Sequence, residues 1–233
     1  AFSALNGDGA PQGAVFEALL PDNGNPALRA LGGRIEAAGR ARNIGVDIVY
    51  VRPHDAQAMA KALGRATDRN VDGVALYAGD DPLTQEALVR LSRAGKRVVT
   101  LCTDLPAAPR HYYVGLDNRA AGRTAGRLMG RLCRDPGDVL VVWGRSRYRG
   151  HDERESGFRA VLRADFPHLR ITGEIDGADD ARQSFERVAD ALFGAAPPAG
   201  VYCIGAGQTG VAEAIEQSGR AGDIVMIGHD CNA

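Results

Sequence analysis

The chain has 233 residues, of which 45% are hydrophobic and 24% charged, and this length suits one large domain or two small ones. The formal net charge of −1 excludes a global basic field that would draw the protein to nucleic acid or to an anionic membrane. No apolar run approaches the ~20 residues that a membrane-spanning helix needs, so we expect no membrane partner.

Short apolar runs alternate with longer segments of helical spacing, after a non-periodic stretch over residues 1–13 that we interpret as a linker. The predicted strands are 14–20, 46–51, 71–77, 97–102, 113–116, 138–143, 169–175, 201–204 and 224–227. The predicted helices are one that begins at Pro26 and those over 55–69, 82–94, 117–134, 151–165, 179–193 and 208–217. This alternation predicts parallel β-α-β units with right-handed crossovers.

The segment 112–122 lies at the centre of this pattern. An apolar strand ends at Leu116, and Asp117 or Asn118 can cap the helix that follows, because either side chain can accept hydrogen bonds from free helical N–H groups. We interpret the segment as a crossing between two lobes. The predicted fold class is α/β, with two doubly wound parallel-sheet lobes over 14–116 and 117–233 and a ligand in the interlobe cleft.

The two ends of the chain lead to further expectations. The first residue is not methionine, so we expect that an upstream segment has been removed. The chain stops directly after a predicted strand, where a doubly wound sheet normally adds a covering helix, so we expect C-terminal residues to be absent.

Four widely spaced cysteines, Cys102, Cys133, Cys203 and Cys231, form no CxxC pair and no cluster with histidine, so we expect no metal site. Buried free thiols in a reducing cytosol are the first interpretation, and a periplasmic disulfide is the alternative. We expect no cofactor.

A GxGxxG pattern over 205–210 follows a predicted strand and opens a helix, and Asp230 ends the next strand. This arrangement is typical of a dinucleotide site, in which the acidic residue binds a ribose hydroxyl. The alternative is that the glycines only let the backbone turn tightly. An enzyme that uses NAD(P) at Gly205–Gly210 is therefore a further alternative, and we otherwise predict no enzymatic activity.

The helix predicted over 117–134 carries glycine at every fourth position, interleaved with arginine. The glycines are Gly122, Gly126 and Gly130, and the arginines are Arg119, Arg123, Arg127 and Arg131. We expect the glycines to permit close packing on the sheet or against another subunit.

Arginines are concentrated after the strand predicted over 138–143, where loops of open α/β sheets meet ligands. Guanidinium groups can grip carboxylates, phosphates or vicinal hydroxyls with two parallel hydrogen bonds. The side chains of residues 151–153, His-Asp-Glu, point in different directions from a helix and cannot converge on one atom. This segment therefore predicts neither a metal site nor catalysis.

Several motifs together resemble the type I periplasmic-binding-protein fold over about residues 14–230. The segment 113–118, YVGLDN, is similar to the crossing of that fold, and 152–158, DERESGF, to its "RExRxxGF" helix start. Shorter landmarks lie at 72–74, 98–101 and 227–230.

The fold occurs in the effector-binding domains of LacI/GalR-type transcription regulators and in solute-binding proteins of sugar transporters. The helix over 153–162 and the Arg/Ala-rich helix after the crossing make the regulators the closer resemblance. This implies a cytoplasmic homodimer that binds a sugar, sugar acid or sugar phosphate and reaches operator DNA only through a missing headpiece. The alternative is a periplasmic solute-binding protein of an ABC transporter.

The resemblance implies that Asn25 and Arg154 contact the ligand, and that Asp104 replaces an aspartate whose usual position is Cys102. Ala27-Leu28 stand where an aromatic pair is common, which removes sugar stacking from this loop. We expect Arg154 to border water and to project over the strand ends. The complete candidate set is Asn25, Asp81, Asp104, Arg145, Arg147, Tyr148, Arg154, Asp176, Gln208 and Asp230.

Overall fold

The computed structural model describes residues 13–22, 26–144, 148–193 and 197–229, which form nine strands and seven helices. The strands are β1 (Val15–Pro21), β2 (Gly45–Val51), β3 (Gly73–Leu76), β4 (Arg97–Leu101), β5 (Tyr112–Val114), β6 (Gly137–Trp143), β7 (Leu169–Asp176), β8 (Gly200–Cys203) and β9 (Val225–Ile227). The helices are α1 (Pro26–Arg40), α2 (Ala56–Asp68), α3 (Pro82–Arg93), α4 (Asn118–Leu132), α5 (Arg149–Asp165), α6 (Ala181–Phe193) and α7 (Gln208–Gln217).

Aspartates precede four of the described helices, as their short side chains favour. Asp55, Asp81, Asp117 and Asp180 each accept a hydrogen bond from the backbone N–H three residues later. Such a cap satisfies one of the first four N–H groups, which have no partner inside the helix. Asp117 is therefore the cap of α4, and Asn118 is left as its buried first residue.

The chain divides into two compact units, 1–114 and 115–233. The first unit holds a sheet of order β2-β1-β3-β4-β5, and the second holds a sheet of order β7-β6-β8-β9. All strand pairs in both sheets are parallel. The predicted α/β class with two parallel sheets is confirmed.

Each unit has its own hydrophobic core. In the first unit, α2 and α3 pack on the sheet through residues such as Leu63, Leu88 and Leu76. In the second unit the two faces of the sheet are both covered. One core includes Met129, Phe158 and Tyr202, and the other includes Val188, Val201 and Val211. Burial of each large apolar side chain contributes about 2 kcal/mol to folding.

The glycines of α4 lie against α5, rather than against the sheet or another subunit as the sequence suggested. A β-carbon on Gly122 would overlap the backbone carbonyl of Arg154, and one on Gly126 would lie 3.0 Å from the carbonyl oxygen of Phe158. Gly130 faces the ring of Phe166. The missing side chains therefore allow two helix backbones to touch.

Cys133 and Cys203 are buried free thiols, Cys102 is half-buried, and Cys231 lies outside the described residues. Among the helices that the structure describes, none combines the length and apolar character needed to cross a membrane.

Candidate functional site

The strand order of the second unit places a switch point at the carboxyl ends of β6 and β8. The chain leaves β6 toward one side, through α5 and β7, and later leaves β8 toward the other side, through α7 and β9. Loops at such a point diverge and leave a crevice at the sheet edge, which is where open α/β sheets bind ligands. Side chains at this edge are therefore the first candidates for a site.

Arg154 reaches this edge from the second turn of α5. Its Nε donates to Asn118 Oδ1 at 2.8 Å, and its Nη1 donates to the carbonyl oxygen of Ile204, just past β8, at 2.9 Å. The residue is only 9% exposed. The expectation that it borders water is therefore wrong, because α4 and the end of β8 enclose it.

The remaining nitrogen of Arg154, Nη2, makes no hydrogen bond to the described part of the chain, and no carboxylate there lies within ion-pair distance. Burying a cation without a counter-charge is costly. A group that brings oxygen acceptors to this edge would lower that cost, so Arg154 remains a candidate ligand contact.

Asn118 holds the guanidinium in place because α4 and α5 approach so closely. It is 2% exposed, and Gly150 at the start of α5 faces its amide. A β-carbon on Gly157 would overlap the backbone carbonyl of Arg119. Glycines on both helices therefore set the distance over which the Arg154–Asn118 hydrogen bond forms.

A second polar group lies close enough to Arg154 to feel its charge. The hydroxyl of Tyr202 and Nε2 of His229 are 2.7 Å apart. His151 is buried in the first turn of α5 and packs edge-on against Tyr148, with ring centroids 5.6 Å apart. Burial, with the positive charges of Arg154 and His151, lowers the pKa of His229 from 6.5 to about 4. Burial also raises the pKa values of both tyrosine hydroxyls well above 10.

Asp179 completes the edge from the loop after β7. It is 5% exposed, and its backbone has a φ of 54°, a left-handed conformation that aspartate tolerates better than most residues. Its Oδ1 accepts from the backbone N–H of Ala206 at 3.1 Å. β-carbons on Gly144 and Gly205 would overlap its carboxylate.

The same contacts account for the GxGxxG pattern. Gly207 has a φ of 97°, which only glycine adopts readily, and Gly210 lies directly against the carbonyl of Ala181. The backbone N–H of Ala206, which follows Gly205, donates to the carboxylate of Asp179. In a dinucleotide site this N–H would be available to a phosphate, so Asp179 occupies the position where the phosphate would bind. The geometry favours the tight-turn interpretation of these glycines.

The titration of His229 leads to a prediction on stability. The pKa of His229 in the folded chain is about 4, below the ordinary 6.5. Between these two pH values the imidazole is therefore mostly protonated in the unfolded chain and mostly neutral in the folded chain. Stability from this group is complete above about pH 6.5 and is lost as pH falls toward 4, by about 3 kcal/mol in total. We expect His229→Gln to flatten this part of the curve of unfolding free energy against pH, measured by urea titration. His54→Gln, on the surface of the first unit, is the control. An equal slope in wild type and His229→Gln would contradict the assignment.

In the first unit, Asp104 and Arg110 form the main polar pair after β4. Arg110 donates through Nε and Nη2 to the two oxygens of Asp104, at 2.5 and 2.6 Å. These bonds, with further donation from Thr100 and Leu105, hold the pKa of Asp104 below its usual 3.8. Asp104 is thus fixed and ionised at the carboxyl edge of its sheet, and its contact with a ligand stays a prediction.

Three other candidates have structural partners. Both carboxylate oxygens of Asp81 bond Thr84, from its backbone N–H at 2.9 Å and its hydroxyl at 2.6 Å, which favours a capping role. Asp176 accepts from the N–H of Ala178 at 2.9 Å and holds the turn after β7. Gln208 donates to the carbonyl of His229 and ties α7 to the end of β9. Ligand contacts by these three remain predictions.

Tyr148 lies at the start of α5 beside His151, as its place in the sequence implied. The remaining candidates, Asn25, Arg145, Arg147 and Asp230, lie outside the described residues. No group of three or more potential metal ligands occurs among the residues that the structure describes.

Five polar residues at or near this edge of the second unit are absent from the set of candidates predicted from the sequence: Asn118, His151, Asp179, Tyr202 and His229. Asn118 was considered only as a cap, and Tyr202 lies in an apolar run that predicts a core strand. Three of them could have been identified from their positions in the sequence, because His151, Asp179 and His229 each follow the end of a strand.

These observations define an α/β binding-protein fold with polar side chains gathered at the carboxyl edge of a parallel sheet. The chain belongs to the periplasmic binding protein domain family, whose match extends over residues 16–233. No curated protein matches the sequence.

Solved structures that are similar to this chain include three from transport systems. The sugar-binding protein of a sugar ABC transporter from Bacillus halodurans is 26% identical, with a TM-score of 0.82 over 94% of this chain and 75% of that one. A solute-binding protein of an ABC transporter from Burkholderia graminis, in complex with D-arabinose, is 20% identical, with a TM-score of 0.87 over 94% and 77%. A periplasmic solute-binding protein from Actinobacillus succinogenes with bound D-allose is 17% identical, with a TM-score of 0.82 over 92% and 77%.

These comparisons confirm the periplasmic-binding-protein fold and correct two expectations drawn from it. The LacI/GalR-type regulator is wrong as the main interpretation, because these three similar structures are solute-binding proteins of ABC transporters. The cytoplasmic location is wrong for the same reason, and operator DNA and a homodimer gain no support. Motifs that build a fold shared by two functional groups cannot separate those groups.

Proposed function

We propose that this protein is a solute-binding protein that captures a sugar or sugar derivative outside the cytoplasm and delivers it to an ABC transporter. Family membership and the sugar-transport titles of similar structures support this proposal. The transporter, rather than DNA, is its proposed partner.

The observation that carries the proposal is the buried guanidinium of Arg154 at the switch point of the second sheet. Sugars offer adjacent hydroxyls that can accept hydrogen bonds from Nη2, and sugar acids add a carboxylate. The hydroxyl of Tyr202 and the imidazole of His229 lie close by and can exchange hydrogen bonds with hydroxyl groups. This chemistry suits a small polar ligand with many oxygens.

The rest of the edge limits the choice of ligand. Asp179 adds a negative charge that disfavours a ligand with several phosphates. We therefore propose a neutral sugar or a sugar with one carboxylate as the ligand class.

A thermal-shift panel tests the proposed function. The panel contains pentoses, hexoses and 6-deoxyhexoses, with D-arabinose and D-allose among them, and the matching aldonic and uronic acids. A ligand that binds only the folded state at 100 times its Kd adds about 2.7 kcal/mol of stability, which moves the melting temperature by several degrees. Amino acids at the same concentration are the negative control.

Arg154→Ala is the variant that tests the contact with the ligand in this panel, and Arg170→Ala is its control. Arg170 is exposed at the opposite end of the same sheet, where it pairs with Asp138 at 3.3 Å. It should respond to the active sugar as the wild type does. Stabilisation by amino acids but by no carbohydrate would refute the proposed function.

A further inference from the structure

We propose that the exposed face of α4 is a docking surface for an acidic protein. The surface consists of Arg123, Arg127 and Arg131, with Leu128 and Leu132 beside them, and we call it the α4 arginine face. This inference does not rest on the proposed sugar-binding function.

The arginines of this face are aligned by helix geometry. They follow one another at intervals of four residues, so their side chains form a row of about 12 Å along one side of the helix. All three are exposed. The neighbouring leucines are 48% and 61% exposed, which is high for large apolar side chains.

The arginines of the face lack counter-charges in the described part of the chain. α4 contains no acidic residue, so no partner one turn away is available to them. The adjacent helix α5 differs: Arg149 pairs with Glu153 at 2.8 Å, and Arg159 with Glu155 at 2.8 Å. Among the described residues, this helix face therefore carries positive charge without acidic partners, in a chain whose net charge is −1.

Charge complementarity and size together select the partner. The row of three arginines is longer than a single small anion. Its length matches a protein surface that carries several carboxylates. The leucines would add apolar contact beside the ion pairs, as is common where charged and apolar groups alternate at interfaces. An acidic, partly apolar helix is the partner that fits best.

Two other occupants fit less well. A membrane surface calls for a helix that can turn a broad apolar side into the bilayer, but the apolar side of α4, with Ala125 and Met129, is buried in the core. A second copy of this chain would bring the same arginines against each other around a two-fold axis, where like charges repel.

The probe for the test is a synthetic helical peptide with glutamate at every fourth position and leucine beside each glutamate. Its binding to the full chain is measured by fluorescence anisotropy at low and at physiological salt. We expect saturable binding that weakens with salt and drops at least about tenfold in Arg123→Glu/Arg127→Glu/Arg131→Glu.

A matched variant controls for net charge. Arg34→Glu/Arg65→Glu/Arg93→Glu reverses three exposed arginines of the first unit and changes the total charge by the same amount. It should bind the peptide within about twofold of wild type, after correction for the overall field. Circular dichroism and melting temperature confirm that both triple variants are folded.

Three outcomes would overturn the proposal. One is the absence of peptide binding, and another is equal loss of binding in the two triple variants. The third is binding to phosphatidylglycerol vesicles without binding to the peptide, which would assign the face to a membrane.

Discussion

Arg154→Ala is expected to abolish the stabilisation by the sugar found in the thermal-shift panel and also to destabilise the protein without ligand. The substitution leaves Asn118 Oδ1 and the carbonyl of Ile204 without their donor in a buried place. Each unsatisfied buried acceptor costs about 1–3 kcal/mol, so we expect a loss of about 3 kcal/mol in the free energy of unfolding. Trp143, the single tryptophan, reports this through its fluorescence in urea because it lies in the second unit.

Arg154→Lys separates the two roles of this residue. A lysine can keep one hydrogen bond to Asn118 or Ile204, but it lacks the planar fork that serves two partners and a ligand together. We expect most of the stability to return while affinity stays at least about tenfold weaker than in the wild type. Unchanged sugar affinity in Arg154→Lys would show that the guanidinium only positions the end of β8.

Gly122→Ala is expected to be the most destabilising single methyl group that can be added to α4. The new β-carbon would overlap the backbone carbonyl of Arg154, and backbone cannot rotate away as a side chain can. Moving α5 aside would also lengthen the hydrogen bond between Arg154 and Asn118. We therefore expect a loss of about 3 kcal/mol or more, with weaker sugar binding as a consequence.

Gly64→Ala is the matched control for this prediction. Gly64 lies inside α2, and a β-carbon there would meet nothing within 4 Å. Since alanine favours a helix interior over glycine, this variant should gain about 1 kcal/mol. Urea unfolding followed by circular dichroism and by Trp143 fluorescence measures both changes. Equal effects of the two substitutions would mean that the α4–α5 contact tolerates an added methyl group.

The alternation of strands and helices could be predicted from the sequence because it depends on local periodicity. The helix 208–217 was predicted with the bounds that the structure gives, and Asp55, Asp81 and Asp117 stand at helix starts where capping favours them. The family-level fold was also accessible, since the crossing motif at 113–118 is a contiguous segment.

The function within the family could not be predicted from the same motifs. The segments 113–118 and 152–158 help to build the shared fold, so they occur whether the domain serves a promoter or a transporter. Similarity to solute-binding proteins of ABC transporters extends over 94% of this chain, whereas the two motifs cover only short segments of it.

The arrangement of the candidate site at the second sheet depends on the tertiary structure. Sequence placed Arg154 near a strand end, but its partners Asn118 and Ile204 are 36 and 50 residues away along the chain. His151 and Asp179 likewise meet around Gly205 only because the parallel strands bring their carboxyl ends to one edge. Local patterns determine which elements form, whereas the burial and pairing of charges depend on which distant elements the fold brings together.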